Sequence, residues 1–354
     1  MESAWFILVA LMIVAYSVLD GFDLGAGMVH MLVARTDTER RTILRSIGPV
    51  WDGNEVWLIA GGGTLYFAFP TLYAVSFSGF YLPLHMVLWL LVLRGIGIEF
   101  RTHLASPVAA GLFDGFFALS SFLLALFLGA ALGNVIRGVP VGAAGTFFEP
   151  LWTTLRPWGD TGILDWYTIF TGTFAVIALL THGALWVVLK TSGEVRDRAR
   201  RVATRAIPVL ALFTIVGVPL TVVVRPDTLD NYLQHPSLFV FPAGVVASLF
   251  LASRWNRKGR ELAAFLATCF FVISALSGAA AGLYPALLPS SYGSQFNLTI
   301  FNTATGSYAL RVGFVWWGLG MALAIGYFIL VYQMFHGKVP LDPSNMSQDS
   351  LPIR

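Results

Sequence analysis

Two carboxylates, an amide and two tryptophans occur within sixteen residues of an apolar region, in the sequence GPVWDGNEVWLIAGGG at positions 48–63. Asp52 and Glu55 are three residues apart, and Trp51 and Glu55 are four apart, so in a helix all three side chains project from one side. A charged group that faces hydrocarbon costs about 2.5–3.5 kcal/mol even on lenient insertion scales. Intramembrane carboxylates therefore usually face protein or water, and they often mark the route of a proton or an ion.

The same acids also have a purely structural interpretation. Acidic side chains in the first turn of a helix complement the helix dipole, and Pro49 suits the start of a helix. Proton transfer and helix initiation are therefore two open interpretations of Asp52 and Glu55.

Further ionisable residues lie toward the same end of neighbouring apolar segments. Asp20 and Asp23 are three residues apart in the first segment, and Asp23 lies about 18 Å of helix away from Arg35 in the following loop, at 1.5 Å per residue. A later segment brings Arg94 and Glu99 toward the same loop. Because buried charges need partners, Arg94 is expected either to pair with an acid of the first two segments or to extend its guanidinium to the membrane surface.

The composition is that of an all-α, polytopic integral membrane protein. Of the 354 residues, 56% are hydrophobic and only 12% are charged, whereas a soluble domain carries about 25% charged residues. The mean hydropathy is +0.73. With about 20 apolar residues needed per span, the sequence predicts nine transmembrane helices, at 4–31, 50–69, 71–97, 112–136, 163–189, 206–224, 238–253, 262–287 and 310–335.

Basic residues predict the orientation of these segments. All but four of the 22 Lys and Arg residues fall in connections on one side, and the exceptions are Arg137, Arg156, Arg225 and Arg311. The positive-inside rule then places the N-terminus outside and the C-terminus in the cytoplasm. Residues 1–338 are expected to form a single transmembrane domain and residues 339–354 a polar cytoplasmic tail. The net charge of +3 is thus explained by topology, without a nucleic-acid partner.

The histidines, the cysteine and the glycines suggest packing and not a cofactor site. Only His85 and His182 are predicted to lie well inside segments, without a His-x-x-x-His pattern, so a haem held by this chain alone is not expected. The single cysteine, Cys269, excludes an intrachain disulfide and a Cys-rich metal site. Glycine runs at 21–27 and 61–63 are expected to let helix backbones approach closely.

Five short stretches together resemble subunit II of the bacterial cytochrome bd quinol oxidases. They are GFDLG at 21–25, TDTERR at 36–41, GPVWDGNEVWLIAGGG at 48–63, FSGFY at 77–81 and LRGIGIEFR at 93–101. The resemblance extends to nine segments across essentially the whole chain, although its specific motifs all lie in the first third.

This resemblance implies two four-helix bundles plus one peripheral helix, in a heterodimer of the bacterial inner membrane that oxidises quinol and reduces oxygen to water. In the family, the companion subunit I carries two b-type haems, haem d and the quinol-oxidising loop. No cofactor is then expected on this chain alone, while a bound quinone or lipid and a small accessory subunit would be compatible with the family.

The resemblance also assigns expected roles to individual residues. The family's proton-entry acid falls on Asp52, its acid in the first segment on Asp23, and its buried arginine on Arg94. Glu55 is a departure, because some relatives have an amide there, and it gives this chain an additional potential proton carrier. The candidate site residues are thus Asp52, Glu55, Asp23, Arg94, Trp51, Asp20 and Glu99.

A proton-coupled secondary transporter is the alternative function, because intramembrane acids and glycine-interrupted helices would also suit it. Co-purification with a haem-bearing membrane subunit would favour the oxidase. A colourless chain that folds and transports alone would favour the transporter.

Overall fold

The computed structural model describes residues 1–103 and 106–340, which form helices and one short hairpin. Of the predicted tail at 339–354, residues 341–354 lie outside the described residues. The helices are α1 Glu2–Val33, α2 Asp37–Ile47, α3 Trp51–Ala68, α4 Pro70–Gly79, α5 Tyr81–His103, α6 Pro107–Arg137, α7 Trp166–Lys190, α8 Gly193–Val224, α9 Asp230–Gln234, α10 Val240–Arg257, α11 Glu261–Leu283 and α12 Ser307–Met334. The antiparallel strands are β1 Ala286–Leu288 and β2 Leu298–Thr299.

Eight helices of the described chain are long and apolar enough to cross a membrane: α1, α5, α6, α7, α8, α10 with the turn before it, α11 and α12. The prediction of an all-α polytopic membrane protein is therefore confirmed. The predicted segment at 50–69 corresponds to α3 but is not among the eight, because Asp52, Asn54 and Glu55 lower the hydropathy of its 18 residues.

The predicted segment at 71–97 is two helices and not one. α4 ends after Ser78 and Gly79, which favour turns, and Phe80 donates its N–H to the Ser76 carbonyl oxygen at 2.8 Å. α5 therefore starts only at Tyr81. The prediction that His85 lies well inside its segment was wrong, because α5 begins only four residues before it. His85 is exposed, and its Nδ1 lies 2.9 Å from the Tyr81 carbonyl oxygen.

Helix α2 lies in a region that was predicted only as a loop. Its start is a capping box, in which Thr36 Oγ1 accepts from the Glu39 N–H at 3.3 Å and Glu39 Oε2 accepts from the Thr36 N–H at 3.3 Å. α8 also begins before its predicted start at 206, and Arg198 in this added part donates to the Val33 carbonyl oxygen at 2.5 Å and pairs with Glu39. Burial alone would raise the pKa of Glu39, but the Arg35 N–H and the Arg198 guanidinium lower it.

Helix α1 is central, because it contacts α3, α6, α7 and α11. It meets α7 backbone against backbone. A Cβ added to Gly25 would lie 2.0 Å from the Leu179 carbonyl oxygen, and one added to Gly183 would lie 2.1 Å from the Gly25 carbonyl carbon. The glycine run at 21–27 thus allows the close approach predicted for it.

The glycines of α3 behave differently from this prediction. A Cβ on Gly62 or Gly63 would have no atom of the described chain within 4 Å. Within the described chain these two glycines therefore allow no close helix contact, because they lie on the outward side of α3.

The end of the bundle opposite α2 is covered by α4 and by the connections around 138–165 and 284–306, which share one buried apolar cluster with Trp5 and Phe69. Arg137, at the end of α6, binds the connection around 138–165. Its guanidinium donates to both carboxylate oxygens of Glu149, at 2.8 and 3.0 Å, and contacts Asp165. α12 is the most exposed helix among those described, with Leu310 as its one buried residue.

Candidate functional site

Arg94 of α5 lies at the centre of a buried polar cluster. Its side chain and that of Asp20 are both 0% exposed. Arg94 Nη1 donates to Asp20 Oδ2 at 2.9 Å, and Nη2 donates to the other carboxylate oxygen. Nη1 also lies 3.8 Å from Glu55 Oε2. Of the two arrangements considered for Arg94, the structure thus has the ion pair, in the two-pronged geometry that suits a guanidinium and a carboxylate.

Asp23 belongs to the same cluster but is held by a neutral group. Its Oδ2 accepts from Asn54 Nδ2 at 2.8 Å, and Asn54 also donates to the Leu19 carbonyl oxygen at 3.2 Å. The Asn54 oxygen accepts from the Tyr332 hydroxyl at 3.0 Å. Asn54 therefore joins α1, α3 and α12 at this acid.

Sequence reasoning singled out neither Asn54 nor Tyr332. For Asn54 a signal existed, because an amide between Asp52 and Glu55 in an otherwise apolar helix needs a polar partner. For Tyr332 there was none, since a tyrosine near the end of a span usually lies at the membrane interface.

Asp52 and Glu55 lie between this cluster and the surface. Asp52 is exposed in the first turn of α3. Glu55, one turn further along, has a side chain that is 22% exposed and approaches Arg94. The acids therefore form a series from the exposed end of α3 to the buried Asp20 and Asp23, with Glu55 in the intermediate position.

A second ionic network connects α1, α2, α5 and α6 and was not predicted. Asp114 of α6 is buried and accepts hydrogen bonds from Arg101 Nε at 2.8 Å and from Arg40 Nη1 at 3.0 Å, and its Oδ1 lies 3.1 Å from His30 Nε2. The signal for it was a single acid in the apolar run LFDGFF, at the same end as the arginines of the loops. Hydrogen bonds from Arg41 and Arg101 lower the pKa of Asp37, which lies at the edge of this network.

Trp51 and Glu99 are not part of the Arg94 cluster. Both line a cavity of about 290 Å³ beside α2, together with Arg41, Arg45 and Arg101. Of the predicted site residues, Asp20, Asp23, Glu55 and Arg94 are thus brought together. Asp52 lies one turn from them, and Trp51 and Glu99 belong to the neighbouring cavity.

The buried histidines are bonded to protein groups. His182 Nδ1 lies 2.8 Å from Thr268 Oγ1 and Nε2 lies 2.9 Å from the Val18 carbonyl oxygen, while His30 faces Asp114. Within residues 1–103 and 106–340 there is no group of three or more His, Cys, Asp or Glu side chains that could hold a metal ion. Both ring nitrogens of His182 are engaged, so neither is offered to an iron, and the two buried histidines of the described residues do not form an axial ligand pair for a haem.

Fold and site together define a class: a polytopic membrane protein with a buried acid–arginine cluster that opens toward one end of the bundle. Within that class, the family model for cytochrome bd terminal oxidase subunit II matches residues 1–335. The chain belongs to this family, and it is a subunit of an oxidoreductase complex of the bacterial membrane.

Relatives in several bacteria are similar over nearly the full length. The chain is 30% identical to a probable cytochrome oxidase subunit 2 of Haemophilus influenzae, over 98% of this chain and 97% of that protein. It is 30% identical to the cytochrome bd-I ubiquinol oxidase subunit 2 of Escherichia coli, over 87% of each chain. It is 28% identical to the cytochrome bd ubiquinol oxidase subunit 2 of Bacillus subtilis, over 96% of this chain and 97% of that one.

A solved structure shares the fold. A chain of the bd oxidase from Geobacillus thermodenitrificans superimposes with a TM-score of 0.74 at 20% identity, over 94% of this chain and 98% of that chain. At this identity the likeness supports the arrangement of the helices and not the roles of single residues.

Proposed function

We propose that this chain is the non-haem subunit of a heterodimeric quinol:oxygen oxidoreductase, in which it stabilises the haem-bearing subunit I and carries protons from the cytoplasm toward it. The observation that supports this most directly is the series of acids from exposed Asp52, through half-buried Glu55, to the buried Asp20 and Asp23. Reduction of oxygen to water consumes protons, and a chain of acids that begins at water can supply them.

The charges of the cluster suit proton uptake. Asp20, Asp23 and Glu55 are three carboxyl groups with one guanidinium, Arg94, among them. Full ionisation would leave two negative charges without compensation in an apolar setting, which is unfavourable. Asp20 is engaged by Arg94 through two hydrogen bonds, so Asp23 and Glu55 are the better candidates to take up and release protons.

The outward side of α3 supports the presence of a partner. It carries exposed Asp52, the accessible part of Glu55 and the uncovered Gly62 and Gly63. The carboxyl group of Glu55 is unfavourable in contact with lipid, although α3 also exposes Val56 and Ile59. By contrast, α12 has no acidic residue and exposes large apolar side chains, such as Leu323 at 78%. In the proposed complex, subunit I covers α3 beyond its first turn, so that Asp52 stays open to water, and membrane lipid lies against the outer side of α12.

In this proposal α3 is the ninth span. α1, α3, α5 and α6 then form one four-helix bundle, α7, α8, α10 and α11 form the other, and α12 is the peripheral helix. The N-terminus lies outside and the end with α2 faces the cytoplasm, in keeping with the distribution of basic residues. Two haem b and one haem d belong to subunit I, with quinol and oxygen as substrates. The transporter alternative gains no support from the family match.

The replacement Asp52→Asn in the complete complex tests the proton path. Asparagine keeps the shape and hydrogen bonding of the side chain but cannot ionise. We expect normal assembly and normal haem content, a several-fold slower turnover, and impaired proton uptake from the cytoplasmic side. The matched control is Asp197→Asn, which removes an exposed acid of α8 at the same end of the bundle.

Oxygen consumption and proton uptake of the variants in proteoliposomes, measured between pH 6 and 8, provide the comparison. If Asp52→Asn and Asp197→Asn both turn over at the wild-type rate throughout, Asp52 is not an obligatory carrier and its role is to start α3.

A further inference from the structure

The cavity beside α2 has no role in the proposed proton path. It has a volume of about 290 Å³ and lies between α2, the first residue of α3 and the last turns of α5. Its lining combines three guanidinium groups, those of Arg41, Arg45 and Arg101, with the apolar side chains of Leu44 and Ile98. A lining of this kind suits a ligand with an anionic head and an apolar body.

Two of these guanidinium groups each have a buried nitrogen without a hydrogen-bond partner. Arg101 is 1% exposed; its Nε donates to Asp114 at 2.8 Å and its Nη2 to Asp37, but its Nη1 has no hydrogen-bond partner. Arg41 Nε donates to the same Asp37 carboxylate, at 2.7 Å. Arg45 has no ion pair with any residue of 1–103 or 106–340, and its Nη1 is also buried without a partner. The unmet donors therefore concentrate at Arg45 and Arg101.

The cavity lies at the level where a membrane meets water. α2 connects the end of α1 to the start of α3, so it runs along the end of the bundle and not through it. Trp51, which lines the cavity, is the residue type that favours this interface.

We propose that this cavity binds the phosphate group of an anionic phospholipid. Basic pockets between transmembrane helices recognise such headgroups, and a guanidinium donates two parallel hydrogen bonds to phosphate oxygens. Arg45 provides the main contact and Arg101 the second. Leu44 and Ile98 contact the start of the acyl chains.

The apolar part of the lining favours a phosphodiester with acyl chains over free phosphate. Leu44 and Ile98 lie beside the guanidinium groups, and free phosphate has no apolar part to bury against them.

Lipid titration of the purified complex, followed by native mass spectrometry, tests this site. The complex is washed in a neutral detergent and then titrated with phosphatidylglycerol. We expect Arg45→Gln to weaken binding about tenfold, the effect of losing a charge-assisted hydrogen-bonded pair. Arg45→Lys, which keeps the charge but loses the paired donors, should bind with intermediate affinity. The control is Arg257→Gln, an exposed arginine at the same end of the bundle, which should bind as the wild type does.

Two further probes distinguish the source of the phosphate. Phosphatidylcholine should bind more weakly than phosphatidylglycerol, and inorganic phosphate should not displace the lipid. Equal retention of phosphatidylglycerol by the wild type, Arg45→Gln and Arg257→Gln would overturn the proposal. Displacement of the lipid by millimolar inorganic phosphate would overturn the assignment to a phospholipid.

Discussion

At the scale of single residues, the function proposed here depends on how Arg94 divides its bonds among the acids around it. It gives two hydrogen bonds to Asp20 and lies 3.8 Å from Glu55. Asp23 instead accepts a hydrogen bond from the amide nitrogen of Asn54. This division leaves one acid in a stable ion pair and two that are less tightly bound, an arrangement that can hold the cluster together while protons pass.

Removal of the guanidinium should destabilise the complex. Arg94→Ala leaves the buried Asp20 without its partner, and breaking a buried pair in this way costs about 3–5 kcal/mol. We expect a large drop in the yield of assembled complex and in its thermal midpoint, measured after solubilisation. Arg94→Lys keeps the charge but not the paired geometry, and it should lie between the wild type and the alanine variant.

The control for this change is Arg311→Ala, which removes an exposed arginine from the start of α12. It should leave the yield and the midpoint unchanged. Equal assembly of the Arg94 and Arg311 variants would show that the pair with Asp20 contributes little.

The residue types of this cluster could be predicted from the sequence, but the pairings could not. Because a charge is unfavourable near hydrocarbon, the guanidinium of Arg94 was expected either to pair with an acid of the first two segments or to reach the membrane surface. The choice of Asp20 over Asp23 depends on the rotation of α5 about its axis, which packing decides. Asp114 was missed because its partners come from three other elements, and no spacing within its own segment reveals them.

At the scale of helices, the contact between α1 and α7 is the closest approach of two backbones described here. Gly25 and Gly183 face each other so closely that neither can carry a Cβ without displacing main-chain atoms. The stacked rings of Phe22 and Trp186, with centroids 3.9 Å apart, pack one turn away. α1 and α7 are thus held together by small residues and an aromatic pair.

A methyl group at this contact should force the helices apart. Gly183→Ala would place its Cβ 2.1 Å from the Gly25 carbonyl carbon and 2.3 Å from the Ala26 nitrogen. Although alanine favours a helix by about 1 kcal/mol over glycine, we expect a lower thermal midpoint and less assembled complex.

Gly318→Ala in α12 is the matched control, because a Cβ there meets no atom within 4 Å. It should be neutral or slightly stabilising. A Gly183→Ala variant as stable as Gly318→Ala would contradict the close packing of α1 on α7.

Most of the helices follow from the sequence because apolar length alone predicts a span. The elements that were missed are those that do not depend on apolar length. α2 is set by the Thr36–Glu39 capping box, and the break between α4 and α5 by Ser78 and Gly79. α8 begins early because its polar first turns are held by Arg198 against α1 and α2.

At the scale of the whole molecule, buried charge and buried histidine serve different purposes. The carboxylates of α1 and α3 lie around Arg94 and Asn54 and extend to exposed Asp52, whereas His30 and His182 are each bonded within the bundle. The class of protein could be predicted from composition and short motifs. The surface of α3 that the partner is proposed to cover could not be predicted, because it is recognised only from which side chains of α3 are exposed in the structure.

Expression of the chain without its partner should yield a polypeptide that shows no haem absorbance. Of the two buried histidines, His182 has both ring nitrogens bonded, to Thr268 and to the Val18 carbonyl, so the two do not provide an axial ligand pair. Co-expression with subunit I should give the absorbance of b- and d-type haems and quinol-dependent oxygen consumption. Optical spectra of the purified samples make the comparison, and stoichiometric haem on the isolated chain would contradict it.

The position of α12 has a consequence for the order in which the molecule is built. Trp5 of α1 donates to the Leu310 carbonyl oxygen at 3.1 Å, and Asn54 of α3 accepts from Tyr332. Met12, Tyr16 and Trp57 of α1 and α3 share a hydrophobic cluster with side chains of α12. α12 follows the other eleven described helices in sequence, so its contacts with α1 and α3 can form only after all of them have been synthesised. The hydrogen bond from Tyr332 to Asn54, the residue that binds Asp23, is therefore one of the late contacts of the acid cluster.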